Sequence, residues 1–182
     1  MPITEELIKE YKKDKTVYFE TGTYFGQGVQ KALDNGFDTV YSVEMSENHY
    51  KKCATKFSGN EKVILVHDSS ERCLEQAVVD IKHPLNTERC FIYLDAHPMG
   101  GRGAPPLINE LNIIASLKRN DHTIVVDDFR LIRDAQAWGT CFKGKDMKEE
   151  FNRLFLAINE DYQISYHGDA WDVEDLIVAT LN

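Results

Sequence analysis

The sequence predicts an α/β fold built on a doubly wound, mostly parallel sheet that ends in an antiparallel hairpin. Short runs of β-branched, aromatic and other apolar residues alternate with helical patterns through most of the chain, and this alternation is typical of parallel sheets with right-handed crossovers. The last two strand patterns are joined by a short loop without a helix, which requires an antiparallel pair. A chain of 182 residues with 42% hydrophobic residues suits one domain, expected to span residues 1–182.

The first half of the chain contains four helical and three strand patterns. Thr4 and Ser46 are typical N-caps for the helices that follow them, and the pair Asn35-Gly36 can end the helix before it. The strand segments are rich in β-branched and aromatic residues. In order, the predicted elements are helix 4–13, strand 16–19, helix 28–33, strand 39–43, helix 46–57, strand 62–66 and helix 70–81.

The second half continues the alternation and then changes at its end. The run 91–94 is wholly apolar, as expected for a central parallel strand that is buried on both faces. Apolar residues between Met147 and Ile158 recur at helical spacing. In order, the predicted elements are strand 91–94, helix 107–117, strand 123–126, helix 145–158 and strands 162–166 and 176–181. A ligand is expected at the carboxyl ends of the parallel strands, because open α/β sheets bind their ligands there.

The charge and cysteine content disfavour several function classes. The formal net charge of −9 argues against a nucleic-acid partner, which requires a basic face, and against an anionic membrane surface. None of the four cysteines belongs to a C-x-x-C pair, so zinc and dithiol chemistry lack support, and a cytoplasmic location is expected. No apolar run approaches the ~20 residues that span a membrane, and the polar amino terminus does not resemble a signal peptide.

The loop after the first strand is the strongest functional signal. Gly22, Gly26 and Gly28 permit a tight turn and a close approach of the backbone to a ligand. Glu44 ends the second strand, 22 residues after Gly22, where a carboxylate can accept hydrogen bonds from both hydroxyls of a ribose. The carboxylate of Glu20, where the strand enters the loop, would repel the pyrophosphate of a dinucleotide but favours the sulfonium and ammonium groups of S-adenosylmethionine.

At this point the chain resembles a known family. Glu20-x-Gly22-x-Tyr24-x-Gly26, followed by Val43-Glu44-Met45, is similar to the class I methyltransferases, above all to the metal-dependent O-methyltransferases that include catechol O-methyltransferase and the macrolide-sugar O-methyltransferases. The resemblance covers residues 17–131 and implies a Rossmann-like methyltransferase sheet, with Glu44 on the ribose of the cofactor and Met45 against its adenine. The implied cofactor-binding residues are Glu20, Gly22, Thr23, Tyr24, Gly26, Gly28, Glu44, Met45, Asp68, Ser69 and Asp95. An alternative role for Asp68-Ser69 is that of a helix N-cap.

Three aspartates follow two neighbouring strands. Asp95 comes after the fourth strand, and Asp127 and Asp128 come after the fifth. Unpaired carboxylates at adjacent strand ends would raise one another's pKa values, and a bound Mg²⁺ would relieve this repulsion. The same positions hold the metal in the family that the chain resembles, where the ion lowers the pKa of the acceptor hydroxyl. The alternative is that Asp127 and Asp128 cap the next turn while Asp95 supports the amino group of the cofactor.

The catechol enzymes carry a lysine base three residues after the aspartate of the fourth strand, and here that position is Pro98. His97 is the candidate general base instead, since histidine titrates near neutral pH, although a hydrogen-bonded structural role in the loop is equally open. The macrolide-sugar enzymes also lack that lysine arrangement. A hydroxyl of a sugar or glycan is therefore the expected acceptor, with a small phenol or catechol as the alternative.

The loop 98–106, which follows His97, is expected to form a lid on the acceptor side, because its glycines allow hinge motion. Within it, Arg102 can bind a carboxylate or phosphate of the acceptor, unless it is a solvated loop residue. Arg130 is a second candidate for the acceptor, or pairs with one of the aspartates, and Trp138 and Trp171 can flank a sugar or belong to the core. A homodimer that shares the acceptor pocket is a further expectation. A non-catalytic binding module is disfavoured because the cofactor loop is intact.

Overall fold

Seven strands and eight helices occur in the part of the chain that the computed structural model describes, residues 3–97, 105–133, 144–168 and 172–182. The strands are β1 Val17–Thr21, β2 Thr39–Val43, β3 Val63–Val66, β4 Cys90–Leu94, β5 Thr123–Val126, β6 Gln163–His167 and β7 Leu176–Thr180. The helices are α1 Glu5–Lys12, α2 Gln27–Asp34, α3 Glu47–Lys56, α4 Ser70–Val79, α5 Pro84–Thr87, α6 Leu107–Ile114, α7 Phe129–Arg133 and α8 Met147–Ile158.

All seven strands form one sheet in the order β3-β2-β1-β4-β5-β7-β6. The first five strands pair in parallel, and β7 pairs antiparallel with both β5 and β6. The predicted doubly wound sheet with an antiparallel hairpin at one edge is therefore confirmed. The chain runs outward from β1 to β3 and then returns to place β4 on the other side of β1. The carboxyl ends of β1 and β4 thus form the switch point at which sheets of this kind bind ligands.

Helices cover both faces of the sheet. This explains why the sequence of β4 is apolar throughout. Cys90, Ile92 and Leu94 pack into the core layer that includes residues of α4, α6 and α8. Phe91 and Tyr93 pack into the opposite layer, with residues of α1, α2 and α3. Because successive side chains of a strand point to opposite faces, a central strand covered on both sides needs apolar residues at every position.

The structure extends the first strand and adds two helices to the prediction. β1 continues through Glu20 and Thr21, because both residues pair with β2 on one side and with β4 on the other. Glu20 is therefore a residue of the central strand and not of the loop. The helices Pro84–Thr87 and Phe129–Arg133 were not predicted, since each is too short to show a helical repeat of apolar residues.

Two predicted features lie outside the described residues. They are the lid segment, of which residues 98–104 are not described, and the tryptophans Trp138 and Trp171. Among the residues that are described, none of the helices is both long and apolar enough to cross a membrane.

Candidate functional site

A cleft of about 840 Å³ opens at the carboxyl ends of the parallel strands. From the predicted site residues, its lining includes Glu20, Gly22, Thr23, Tyr24, Gly28, Glu44, Met45, Asp68, Ser69, Asp95, His97 and Asp128. Gly26, Asp127 and Arg130 are described but do not line it. Arg102 lies outside the described residues. The fold therefore brings most of the predicted residues to one cavity, and it separates Asp127 from its neighbour Asp128.

The glycines of the first loop are required by contacts within the protein. Gly22 has a φ of +87°, and a Cβ atom there would lie 2.6 Å from the carbonyl oxygen of Asp95. Gly26 has a φ of +69°, and a Cβ atom there would collide with the ring of Phe57 behind the cleft. A side chain at Gly28 would strike the carboxylate of Glu20. Glycine at these positions, two in the loop and one at the start of α2, therefore allows close packing against Asp95, Phe57 and Glu20.

Glu20 is a buried acid in the wall of the cleft. The hydroxyl of Ser42 donates to its Oε1 at 2.6 Å, and the hydroxyl of Tyr18 donates to its Oε2 at 3.0 Å. Burial raises the pKa of Glu20 to about 7, against the opposing effect of these two hydrogen bonds. A cation brought into the cleft would favour the charged form of this carboxyl.

Glu44, at the end of β2, is fixed by the backbone. The N–H of Tyr24 donates to its Oε2 at 2.8 Å, and the N–H of Ser46 donates to its Oε1 at 2.7 Å. A carboxylate has about four lone-pair sites, so each oxygen can still accept one hydroxyl. Met45, with 72% of its surface exposed, stands beside Glu44 at the rim of the cleft. Contact of Glu44 with a ribose and of Met45 with an adenine stays a prediction.

Asp68 and Ser69 lie where β3 leads into α4, and the sequence left two roles open for them. Ser69 is the N-cap of α4, where its Oγ accepts the N–H of Arg72 at 3.3 Å. Asp68 accepts the N–H of Ser69 at 2.8 Å and forms an ion pair with Arg72 at 3.6 Å. Both residues also line the cleft. The capping role is confirmed, and contact with the adenine of a cofactor stays a prediction.

At the carboxyl ends of β4 and β5, across β1 from Glu44, an imidazole lies near two carboxylates. Nε2 of His97 lies 2.9 Å from Oδ2 of Asp128 and 3.6 Å from Oδ1 of Asp95. Burial and the charges of Asp127 and Asp128 raise the pKa of Asp95 well above its usual range. Burial acts in the same direction on Asp128, but the hydrogen bond and charge of His97, together with Arg130, hold its pKa below the usual value. The pKa values of the two carboxyls are therefore shifted in opposite directions although both face the same histidine.

Asp127 turns away from the cleft. Its Oδ2 accepts a hydrogen bond from the hydroxyl of Tyr93, and its Oδ1 accepts the N–H of Asp128 at 2.7 Å. Burial raises the pKa of Asp127 to about 6, and the Tyr93 hydrogen bond opposes this rise. Asp128 has a φ of +57°, a conformation that aspartate tolerates better than most residues. This backbone conformation belongs to the turn in which the two consecutive side chains separate.

The carboxylates and histidine form two groups that could hold a metal ion within the described residues. One comprises Asp95, His97 and Asp128, and the other comprises Asp127, Asp128 and Asp175. His97, and not Asp127, thus completes the group that faces the cleft. In the second group Asp175 is fully buried and bonded to the guanidinium of Arg130. The first group is therefore the better candidate for a cation, while Asp127 as a ligand stays a prediction.

Arg130 pairs with aspartates, which was one of its two predicted roles. Its side-chain Nη1 lies 3.0 Å from Oδ1 of Asp128 and also bonds to Oδ2 of Asp175. The backbone N–H of Arg130 donates to Oδ1 of Asp175 at 3.2 Å. Contact of Arg130 with an acceptor stays a prediction.

Sequence reasoning missed several residues that line the cleft. They include Gln27, His49, Ser70, Glu71, Tyr93 and Asn109, whereas Pro105 and Pro106, which also line the cleft, belong to the predicted lid segment. Asn109 in α6 donates to Oε1 of Glu71 in α4 at 2.7 Å, so the first turns of these two helices meet at the cleft. Their side chains carry no motif, but the position of both turns at the carboxyl ends of strands was the signal available.

Comparisons with known proteins relate the chain to others through its fold. No protein-family model matches the sequence, and no curated protein matches it. An O-methyltransferase from Bacillus cereus, solved with S-adenosylhomocysteine, superposes with a TM-score of 0.69 at 14% identity, over 98% of this chain and 78% of that one. A proposed methyltransferase from Streptococcus mutans, also with S-adenosylhomocysteine, gives 0.62 at 11% identity over 98% of both chains. The N-methyltransferase NodS from Bradyrhizobium japonicum gives 0.55 at 10% identity, over 96% and 90%. The chain thus shares its fold with these methyltransferases, of which one is named an O-methyltransferase and another an N-methyltransferase.

Proposed function

We propose that this protein is an S-adenosylmethionine-dependent O-methyltransferase. The observation that carries the proposal is one cleft with two different ends. One end offers a fixed carboxylate, Glu44, beside the first loop, and the other offers His97 between Asp95 and Asp128. The first end suits the adenosine of the cofactor, and the second suits the removal of a proton from an acceptor.

The residues at the cofactor end fit S-adenosylmethionine better than a dinucleotide. Glu20 and Glu44 place two carboxyls in the wall of the cleft, which would oppose a pyrophosphate and favour a sulfonium and an ammonium group. The oxygens of Glu44 have lone pairs left for the ribose hydroxyls, and Met45 lies where it can cover the adenine. The solved neighbours from Bacillus cereus and Streptococcus mutans, which contain S-adenosylhomocysteine, support this choice.

At the other end we assign His97 as the general base. When bound, S-adenosylmethionine supplies an electrophilic methyl group. Nε2 of His97 donates to Asp128, so Nδ1 is the nitrogen that would take the proton of the acceptor hydroxyl. The hydroxyl oxygen would form the new bond to the methyl carbon as the carbon–sulfur bond breaks and its electron pair stays on sulfur. Asp128 holds the imidazole in place through its contact with Nε2, at 2.9 Å.

A divalent cation is a second component of the proposal. Asp95, His97 and Asp128 would hold it, or, as the sequence predicts, Asp95, Asp127 and Asp128. The cation would lower the pKa of the acceptor hydroxyl. His97 and the cation compete for Asp128, because Nε2 of His97 already lies 2.9 Å from its Oδ2. Mg²⁺ prefers oxygen ligands, whereas an imidazole ligand favours a transition metal. Methyl transfer that is unchanged by EDTA would exclude the metal and leave His97 as the base.

The acceptor that we propose is a hydroxyl of an uncharged sugar or glycan. Among the described residues that line the cleft, none is a lysine or an arginine, and six are acids. Phosphorylated or carboxylated acceptors would therefore lack a counter-charge in this part of the cleft. A small phenol or catechol is the alternative, and a homodimer could complete the acceptor pocket.

The proposal is tested by a transfer assay with methyl-labelled S-adenosylmethionine against a panel of neutral sugars, polyols and phenols, with Mg²⁺, with Mn²⁺ and with EDTA. We expect label in a neutral sugar or polyol. Label in phenols alone would show that the acceptor is a phenol and not a sugar, and the proposed O-methyl transfer would still stand. Binding of S-adenosylhomocysteine without transfer to any acceptor would instead point to a non-catalytic binding module.

A further inference from the structure

Asp175 is a fully buried acid, and the proposed reaction does not use it. It precedes β7, which lies two strands away from β4 in the sheet. A buried charge is costly unless it is paired and hydrogen-bonded. Oδ1 of Asp175 accepts the backbone N–H of Arg130 at 3.2 Å, and Oδ2 is bonded to the guanidinium of the same residue. Both oxygens of this acid therefore hold Arg130.

The backbone of Asp175 is fixed as well. Its N–H donates to the carbonyl oxygen of His167, the last residue of β6, at 2.9 Å, and its carbonyl oxygen accepts the N–H of Phe129 at 2.9 Å. Phe129 and Arg130 are the first two residues of α7, and they directly follow Asp128. Asp175 thus ties the start of this helix, and the turn that carries Asp128, to the antiparallel edge of the sheet.

Arg130 carries this connection to the cleft. Its Nη1 bridges two carboxylates, since it is bonded to Oδ2 of Asp175 and lies 3.0 Å from Oδ1 of Asp128. The other oxygen of Asp128, Oδ2, lies 2.9 Å from Nε2 of His97. A continuous series of contacts therefore runs from Asp175 through Arg130 and Asp128 to the imidazole in the cleft.

This bridge determines which oxygen of Asp128 is available to the histidine. An arginine that faces a single carboxylate frequently binds both of its oxygens with the two arms of the guanidinium. Because Asp175 holds Nη1 from the other side, Arg130 contacts Oδ1 of Asp128, and Oδ2 is left for His97. The hydrogen bond at Nε2 in turn sets the tautomer of His97 and leaves Nδ1 without a proton, as a general base requires.

We propose that Arg130 and Asp175 are positioning residues for the proton transfer. Together they hold Asp128 in the orientation that keeps His97 protonated on Nε2, and they act through Asp128 and not on the reacting atoms. The inference rests on the proposed function, in which His97 is the general base. It differs from a role of Arg130 in binding the acceptor, because loss of a residue that holds the base lowers kcat, whereas loss of a residue that binds the acceptor raises KM.

The experiment uses the double variant Arg130→Gln, Asp175→Asn, which removes the bridge without leaving an unpaired buried charge. The single variant Asp175→Asn accompanies it. Arg133→Gln is the matched control, because Arg133 lies on the same helix and its side chain is similarly exposed, 25% against 21% for Arg130. Arg133 is likewise paired with acids that precede β7, Asp172 at 3.0 Å and Glu174 at 3.5 Å.

The measurements on each protein are the Tm, the affinity for S-adenosylhomocysteine by calorimetry, kcat and KM for the acceptor that the transfer assay labels best, and the tautomer of His97 in a long-range ¹H–¹⁵N spectrum. We expect the double variant to lower kcat about 10–100-fold, to keep KM and affinity within about threefold, and to lose the preference for a proton on Nε2. Asp175→Asn should change kcat and the tautomer in the same direction. Arg133→Gln should differ from wild type in Tm alone.

A wild-type kcat or an unchanged His97 tautomer in the double variant would overturn the proposal, and so would a raised KM at unchanged kcat. If the variants do not fold, the wild type decides, because a neutral His97 with its proton on Nδ1 contradicts the assigned orientation and one with its proton on Nε2 supports it. A wild-type protein that transfers no methyl group would contradict the proposed function instead. The tautomers would then still test the link between Asp175 and His97.

Discussion

The two ends of the cleft hold their carboxylates in different ways. At the cofactor end, backbone N–H groups fix both oxygens of Glu44. At the acceptor end, Asp95 and Asp128 are held by side chains, and their pKa values move in opposite directions. The first arrangement is a rigid binding surface, and the second is suited to taking up and releasing a proton. Binding and chemistry should therefore be separable by mutation.

The largest effect is expected from His97→Ala, which tests whether the two ends are separable. Loss of a general base lowers kcat by ~10²–10⁴-fold, whereas the affinity for S-adenosylhomocysteine should change by less than about threefold, because the cofactor end is untouched. Transfer kinetics with the best acceptor and calorimetry give the two values. His67→Ala is the control, since His67 is an exposed histidine that stacks on Tyr50 outside the cleft. Equal losses of binding and kcat in His97→Ala would contradict the separation.

Glu20 is the exception to the contrast between a rigid cofactor end and a titrating acceptor end, because it is a buried, titrating acid at the cofactor end. Its pKa rises from 4.5 to about 7 in the folded protein, so the native state binds more protons than the unfolded state between these values. The contribution of Glu20 to the free energy of unfolding is fully present below about pH 4.5 and is lost as the pH rises through 7. The stability lost over this range is roughly 3 kcal/mol. Glu110 and Asp127 add effects of the same sign.

Urea unfolding of wild type and Glu20→Gln at pH 5 and pH 8 measures this effect. Wild type should lose more free energy of unfolding than the variant between the two pH values, because Gln does not titrate. The acid Asp128 has the opposite sign, since its lowered pKa gives stability that is lost only as the pH falls below the usual value for aspartate, ~4. The same pH dependence in both proteins would show that Glu20 titrates normally.

Gly22 lies where the two ends of the cleft meet, because this residue of the first loop packs against the backbone of Asp95. Gly22→Ala combines a positive φ with a Cβ atom 2.6 Å from the carbonyl oxygen of Asp95, whereas Gly59 has a φ of +78° and open space around it. Both changes should cost about 1–2 kcal/mol for the backbone conformation. Gly22→Ala should cost about 1–3 kcal/mol more because of the collision. It should also shift the amide resonance of Asp95 in a ¹⁵N–¹H spectrum. Equal unfolding free energies for the two variants would mean that the loop does not press on β4.

The sequence was sufficient for the sheet and for most of the cleft. Apolar runs locate the strands, and the residues that follow them, such as Glu44 and Asp95, must then lie at one edge. It was not sufficient for the separation of Asp127 from Asp128, because neighbours at a strand end can turn to either side, and here the positive φ of Asp128 belongs to that turn. The pairing of Arg130 with the distant Asp175 likewise depends on where β7 inserts into the sheet.

Glu110 shows that a readable signal was overlooked. Leu107, Leu111 and Ile114 recur at helical spacing, and Glu110 occupies a position on the same buried face. A charged residue on an apolar face indicates a buried acid, and Glu110 is fully buried in the structure.

The central claim is that this cleft binds S-adenosylmethionine through Glu44, and calorimetric titration with S-adenosylhomocysteine tests it without any acceptor. Wild type is expected to bind one molecule per chain, and Glu44→Ala should bind about 10–100-fold more weakly, since two hydrogen bonds to a charged acceptor are lost. Glu47→Ala is the control, because Glu47 is exposed and paired with Lys51, and it should bind like wild type. No binding to wild type at millimolar S-adenosylhomocysteine, or equal binding to Glu44→Ala, would contradict the account.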